Sequence, residues 1–463
     1  MTHDASPGMM DLSQLGEAVN QGEIETILAV FPDMYGRLLG KRITGHFFLD
    51  HVAADGMHAC DYLLACDMEM DPIPGYTFTS WEAGYGDFHL VPDMRTLRRA
   101  SWLPQTAMVI CDVRTEPGDR PIEVAPRSML ERQVERARAA GFEVMGGSEI
   151  ELYVFDESYD SARSKNYHSL LPAGQYIEDY HIFQGTKEEN IIGSIRHALD
   201  TSGVPVEFSK GEWGPGQQEI NLRYSDALTQ ADRNVIYKHA AKEIAYQQGK
   251  AVTFMAKWDE RLAGSSMHIH VSLWDLEGGR NCFQGDKQIG PIEASDTFRW
   301  FLGGWMKHTP ALTACYAPYV TSYKRFQEGS FAPTGIAWSY DNRTAGFRVV
   351  GHGSSLRIEC RIPGADANPY VVYAASIAAG LDGIENQIEP PDIFQGDIYQ
   401  AARLPRVPAT LRDATAEFER SEFPVRAFGE DMAGHYLHFL KTEQRKFDEV
   451  VTCWERARFF ERA

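Results

Sequence analysis

Four short segments carry side chains suited to holding a pair of divalent cations: Glu149-Ile-Glu151, Glu212 with Glu219, His268-Ile-His270, and Glu359 between Arg357 and Arg361. In three of the four, polar residues alternate with apolar ones. That is the period of a β-strand, so the polar side chains of each segment share one face. Leu152, Val154, Ile220, Ile269, Val271 and Ile358 surround them, which sets Glu149, Glu151, Glu212, Glu219, Glu359 and His268 in apolar company. A carboxylate in such a place needs a cation or hydrogen-bond donors to stay charged. Oxygen-rich ligation with one nitrogen suits Mg²⁺ or Mn²⁺ better than a closed zinc site. Residues 323–361 add Arg325, Arg343, Arg348, Arg357 and Arg361 among glycines and aromatics. Arginines in apolar surroundings call for phosphate or carboxylate partners, so the combined set points to nucleotide chemistry.

The elements that must position these residues are legible from pattern. A helix is expected over Leu12 to Gly22, then strands over Ile24–Phe31, Arg37–Phe48, Asp87–Val91 and Ala107–Val113. Thr115 to Pro121 reads as a linker, and the first ten residues as an arm. Beyond it, helical spacing predicts helices over Arg127–Ala140, Glu188–Ser202, Asp226–Gly249, Ser295–His308, Asn368–Gln387 and, as one long amphipathic helix, Gly434–Phe460. Strands are expected over Phe142–Phe155, Thr253–Lys257 and Met267–Trp274. Strands carry the ligands, and helices cover the back of the sheet.

Composition narrows the function. A 463-residue chain with 43% hydrophobic residues can bury one large core or two unequal domains. Its net charge of −20 argues against nucleic acid or an anionic membrane as partner. Seven scattered cysteines without a CxxC pair fit a reducing compartment. No signal peptide or membrane span is expected, which predicts a cytoplasmic protein.

The order of these segments resembles the glutamine synthetase family, specifically its bacterial type I branch. The matching stretches are Gly147-Ser-Glu149-Ile-Glu151, Gly211-Glu212 with Gly216-Gln-Gln-Glu219, Ser266-Met-His268-Ile-His270-Val-Ser272, Ser322-Tyr-Lys-Arg325, Asn342-Arg343, Arg357-Ile-Glu359-Cys-Arg361, Asn368-Pro-Tyr370 and Trp454-Glu-Arg-Ala-Arg458. The resemblance implies an α+β protein: an N-terminal β-grasp domain, placed at 12–118, and a larger catalytic α/β domain with an antiparallel sheet, placed at 119–463. It implies two ions, Mg²⁺ or Mn²⁺, per active site. Glu151, Glu212 and Glu219 would hold one, and Glu149, His268 and Glu359 the other. Arg325, Arg361 and Gly264 would bind glutamate. Arg343, helped by Arg348, would stabilise the transferred phosphoryl group. Arg357, Tyr224, His270 and Ser272 would contact ATP. Family members assemble as two hexameric rings, so a homo-oligomer of that kind is implied.

Departures from the family pattern concern the nitrogen donor. Ammonia-using members carry a glutamate six residues after the arginine matched by Arg325, where this chain has Phe331. The family's Asp-Gly-Ser-Ser box is absent, and Asp61 in Cys60-Asp61-Tyr62 is its loose counterpart. A carboxylate suits ammonium, whereas a phenyl ring offers an apolar wall for methylene groups. An alkylammonium has a pKa of about 10, so a base must still remove its proton; Asp61 and Glu212 are the candidates. The pattern is closest to γ-glutamylamide ligases acting on polyamines or ethanolamine. The acidic pairs Glu178-Asp179 and Glu188-Glu189 would suit a polyamine, or else be a solvated face. The expected activity is ATP-dependent joining of glutamate to an amine through γ-glutamyl phosphate. Alternatives are an ammonia-using glutamine synthetase, a non-catalytic relative, and a two-metal hydrolase.

Overall fold

The computed structural model describes residues 6–116, 120–401 and 403–463. Its first sheet contains β1 (Thr26–Pro32), β2 (Leu38–Thr44), β3 (Met57–Cys60), β4 (Asp87–Pro92), β5 (Arg98–Arg99) and β6 (Thr106–Arg114). They lie in the order β2-β1-β6-β4-β3, with β5 beside β6. β1 and β6 are parallel and the other pairs antiparallel, a β-grasp-like arrangement. Helix α1 (Leu12–Asn20) buries Leu15, Ala18 and Val19. Asp11 starts it through a reciprocal cap, accepting from the Gln14 amide while its own amide donates to the Gln14 side chain. The expected linker runs into residues 117–119, and the boundary between 118 and 119 lies outside the described residues.

The second sheet holds β7 (Phe142–Phe155), β8 (Val206–Gly211), β9 (Gln217–Asp226), β10 (Ala251–Thr253) and β11 (Met267–Asp275). After a hairpin, β12 (Lys287–Ile289) with β13 (Ile292–Ala294), it adds β14 (Trp338–Tyr340), β15 (Phe347–Val350) and β16 (Arg357–Cys360). The order is β14-β15-β16-β11-β7-β9-β8, with β10 on the far end of β7. Only the β14–β15 pair among its ladders is parallel, and the chain is of the α+β class. Helices α2 (Pro126–Ala139) and α4 (Ala227–Gln247) pack on this sheet. Behind them lie α6 (Pro369–Glu385) and its neighbour α5 (Asp296–Tyr316), with α3 (Ile182–Asp200) against β8 and α4.

Ile150, Leu152, Ile220, Ile269 and Ile358 are completely buried on the helix-covered side. Each such side chain contributes about 1.5–3 kcal/mol on burial. A slip of one residue would expel this set and drive the polar face into the core, so the apolar residues fix the register of the polar ones.

Four expectations need correction. The helix predicted over Gly434–Phe460 is two, α8 (Glu430–Asp448) and α9 (Cys453–Phe459), with α7 (Leu411–Arg420) packed on the first. The break falls at Val450-Val451, whose β-branched side chains are exposed, and Thr452 caps α9 with Glu455 in a capping box. The predicted strand Arg37–Phe48 ends at Thr44 and turns into helical backbone. The strand predicted over Thr253–Lys257 lies earlier, at Ala251–Thr253, where it finds a partner on β7. Helix α5 also outruns its predicted end at His308 and continues through Pro310. The Thr309 hydroxyl donates to the Trp305 carbonyl and the Thr313 hydroxyl to the Thr309 carbonyl, which supports the backbone around the proline.

Candidate active site

Strand register lays the polar residues in three rows on one face of the second sheet. Arg348, Glu359 and His270 pair across β15, β16 and β11. Two residues along, His268 pairs with Glu149 and Glu149 with Asn221. In the third row Glu151 pairs with Glu219 and Glu219 with Lys210. Glu212 follows β8 in a turn whose shape depends on Gln217. The Gln217 amide hydrogen bonds back to the Gly214 carbonyl, and its side chain accepts from Gly214 and donates to Glu151.

These rows produce three overlapping groups whose ligand atoms lie within 4.8 Å of one another: Glu151, Glu212 and Glu219; Glu149, Glu219 and His268; Glu149, His270 and Glu359. Glu149 belongs to two of them. His268 donates to Glu149 through Nδ1 at 3.3 Å, and its Nε2 is buried without a partner. His270 donates to the other Glu149 oxygen at 3.0 Å, so it stands as near that group as His268 does.

Electrostatics tell the same story of crowded negative charge. Burial and the neighbouring Glu212 push Glu151 up to about 8, and burial with Glu149 raises Glu219 well above the carboxylate range. Burial would raise Glu149 too, but hydrogen bonds from the two histidines hold it below its ordinary value. Glu359 overcomes burial through Arg361 and sits at about 2. Burial, with Arg361, lowers His268 to about 4, leaving a neutral imidazole. An oxygen-rich donor set, an orphaned imidazole nitrogen and like-charged carboxyls at this spacing fit divalent cations.

Two cavities meet here. One, of about 590 Å³, is lined by Glu149, Glu151, Glu212, Glu219, His268, Gly264, Phe331, Arg343, Arg348 and Arg361. The other, of about 470 Å³, contains Tyr224, His270, Ser272, Arg357 and Trp274. Glu149, Phe208 and Asn221 line both. Arg357 reaches His270 Nδ1 at 3.3 Å, which leaves His270 Nε2 to donate to Glu149.

The arginines differ in freedom. Arg361 donates to Glu359, and Arg348 bridges Glu359 and Asp341. Arg325 is buried, donating to Ser266 and to the Ile362 carbonyl, and is not among the residues lining either cavity. Gly264 packs on it: a Cβ there would lie 2.4 Å from Arg325 Cγ and 2.6 Å from the Ala256 carbonyl oxygen. Arg343 is exposed and has no hydrogen bond or ion pair among the described residues, a free guanidinium at the cavity.

Asp61 does not reach this place within its own chain. Its carboxylate accepts from the Thr79 hydroxyl at 2.5 Å and the Gly86 amide at 3.1 Å. Of the acidic pairs, only Asp179 borders this cavity, as an exposed carboxylate beside Tyr180. Glu178 and Glu188 are buried behind the loop that carries Glu212, where Glu178 accepts from the Gly216 amide and the Gln218 side chain bridges both carboxyls. Lys210 and Trp213 go beyond the residues expected from sequence. Lys210 lies against Glu212 and Glu219, whose charges raise its pKa against the effect of burial. Its signal is the strand period, since it stands two residues before Glu212. Trp213 sits in irregular backbone, where period carries no information.

Among the described residues no helix is long and apolar enough to cross a membrane. The glutamine synthetase catalytic domain matches residues 123–459. Along 98% of this chain and 96% of its own length, the γ-glutamylethanolamide synthetase GlnA4 of Streptomyces coelicolor is 44% identical. A glutamate–isopropylamine ligase from a Pseudomonas species is 34% identical over 96% of each chain. The glutamine synthetase of Thermotoga maritima is 30% identical over 97% of this chain and 99% of its own. An apo structure of GmaS superposes with a TM-score of 0.84 at 29% identity, covering 97% of this chain and all of that one. With the catalytic domain matched over most of the chain and full-length relatives on both sides of it, this protein belongs to the glutamine synthetase family.

Proposed function

We propose that the protein is an ATP-dependent ligase joining the γ-carboxylate of L-glutamate to a primary amine. The observation that carries this is the convergence of Glu149, Glu151, Glu212, Glu219, His268 and Glu359 on one face, beside the unpaired guanidinium of Arg343. The similar ethanolamide synthetase and isopropylamine ligase support an amine in place of ammonia. So does Phe331, which lines the cavity where a carboxylate would otherwise attract ammonium.

A γ-carboxylate oxygen attacks the terminal phosphorus of ATP, the bond to ADP breaks, and an acyl phosphate forms. The amine nitrogen then attacks the acyl carbon, phosphate leaves, and the amine gives up a proton. Glu151, Glu212 and Glu219 would hold one divalent cation and Glu149, His268 and Glu359 the other, with His270 close enough to share the second. Bound Mg²⁺ or Mn²⁺ would supply charge neutralisation for the phosphoryl oxygens. Arg343 has its donors free for the phosphoryl group in transfer, while Arg348 and Arg361 are held by Glu359 and keep fixed orientations. Tyr224, Ser272 and Arg357 line the cavity that would take the nucleotide. Gly264 and Arg361 would meet glutamate, with Arg325 fixing the wall behind them. Glu212 is the base already inside the cavity. Asp61 would have to enter from an adjacent copy, as in the double-ring assembly that family membership suggests. All seven cysteines are free thiols, in keeping with a cytoplasmic setting.

The test is ADP release by purified protein with glutamate, ATP and Mg²⁺, screened over ammonium, ethanolamine, ethylamine, putrescine and spermine. Release with a primary amine well above that with ammonium is expected. Release with ammonium alone would make it an ammonia-using enzyme, and no release with any of them would indicate a non-catalytic relative.

A further inference from the structure

Next to Glu212 the cavity wall is aromatic. Trp213 and Phe331 meet with ring centroids 6.3 Å apart and planes inclined at 54°, forming a V-shaped notch. Both rings are about half exposed, 51% and 50%, although both border a polar cavity. Phe331 is held there by backbone at φ 55°, a left-handed conformation that costs a non-glycine residue about 1 kcal/mol or more. A large apolar residue kept strained and half solvated contributes little to folding. It is placed to meet something that arrives.

The chain itself shows what an alkylammonium does at this wall. The Lys210 ammonium lies 4.6 Å from the Tyr180 ring centroid while pairing with Glu212, an attraction of cation to ring face beside a carboxylate. Tyr180, Lys210, Glu212, Trp213 and Phe331 border one cavity. A primary amine entering with its nitrogen toward Glu212 would therefore lay its first carbons in the notch between Trp213 and Phe331.

The far side of Trp213 limits what can follow. A second cavity of about 580 Å³ begins there, bordered by Tyr176, Ile177, Pro215, Leu262 and Arg261, with no carboxylate among its lining residues. A second ammonium carried past Trp213 would meet the Arg261 guanidinium, already paired with Asp259, and no carboxylate among these lining residues; Asp179 and Glu328 border the first cavity instead. A short apolar or hydroxylated tail would meet apolar walls.

Resting on the ligase reading above, we propose that Trp213 and Phe331 form the substrate notch that selects short primary monoamines over both ammonium and diamines. The test compares kcat/KM for ethylamine, ethanolamine, putrescine and ammonium in the wild type, Trp213→Ala and the conservative Trp213→Tyr. Hydroxylamine trapping of the acyl phosphate reports separately on folding and phosphoryl transfer. Ethylamine or ethanolamine should exceed putrescine in the wild type. The ethylamine-to-ammonium ratio should fall at least about tenfold in Trp213→Ala and largely recover in Trp213→Tyr. Two results would overturn the notch alone: putrescine preferred by the wild type, or ethylamine and ammonium affected equally by Trp213→Ala. Absence of ADP release and of trapped hydroxamate in the wild type would instead remove the ligase reading, and the notch with it.

Discussion

Among the described residues, Arg343 is the one guanidinium at the cavity that no neighbour holds, whereas Arg348 and Arg361 are anchored through Glu359. Freedom of this kind is useful only if a charged group arrives during turnover. Replacing Arg343 with alanine should lower kcat about 10²–10³-fold with little change in the KM for glutamate, measured by steady-state kinetics. Glu219 is shared between two of the ligand groups and is raised by burial and by Glu149, so it gains most from a cation. Adding Mg²⁺ to EDTA-treated protein should raise the thermal unfolding midpoint by a few degrees, about 2.7 kcal/mol of stabilisation at a hundredfold excess over Kd. Glu219→Gln should abolish most of that rise. At the cavity wall, Phe331→Glu should gain ammonium-dependent ADP release. An unchanged rate would mean that position 331 does not govern the choice between ammonium and alkylamines.

At the scale of elements, alternation made most of the site readable. Glu149, Glu151, Glu219, His268 and Glu359 all lie on strands, and a period of two sends each segment's polar residues to one face. Which residue would face which across the ladder was not readable, because register depends on apolar packing between segments far apart in sequence. For that reason His270 stands as close to Glu149 as His268 does, a proximity that spacing within one strand could not distinguish. The break at Val450-Val451 is not legible in the sequence because helical spacing on both sides continues across it. Helix α8 illustrates contact between elements in another way. The neutral His435 ring donates to the Leu64 carbonyl at 2.8 Å, tying α8 to the first sheet's region, and burial lowers its pKa to about 4. The folded state thus resists protonation that the unfolded chain accepts near 6.5. This contribution is complete above about 6.5 and declines as pH falls toward 4, by up to ~3 kcal/mol. Denaturant unfolding at pH 7 and pH 4.5 should show a smaller acid loss in His435→Gln than in the wild type.

For the whole molecule, the position of Asp61 is decisive. Sequence placed it among the candidate bases, and one chain leaves it bonded to Thr79 and Gly86, away from Glu212. Sequence pattern carries no information about what a second copy contributes, so this part of the site was beyond its reach. If an adjacent copy supplies Asp61, two inactive variants should complement each other. Asp61→Asn mixed with Glu219→Gln, dissociated and reassembled, should recover up to about a quarter of wild-type activity, the share of random pairings with both groups intact. Full activity of Asp61→Asn on its own would instead assign proton removal to Glu212 within one chain.

Trp213 and Phe331 lie in irregular backbone, while five of the six ligands lie on paired strands. Substitutions in the two loops can alter which nitrogen compound is accepted and leave the ladder untouched. Specificity in this scaffold is therefore free to diversify, and activation of the acid stays the same from one descendant to the next.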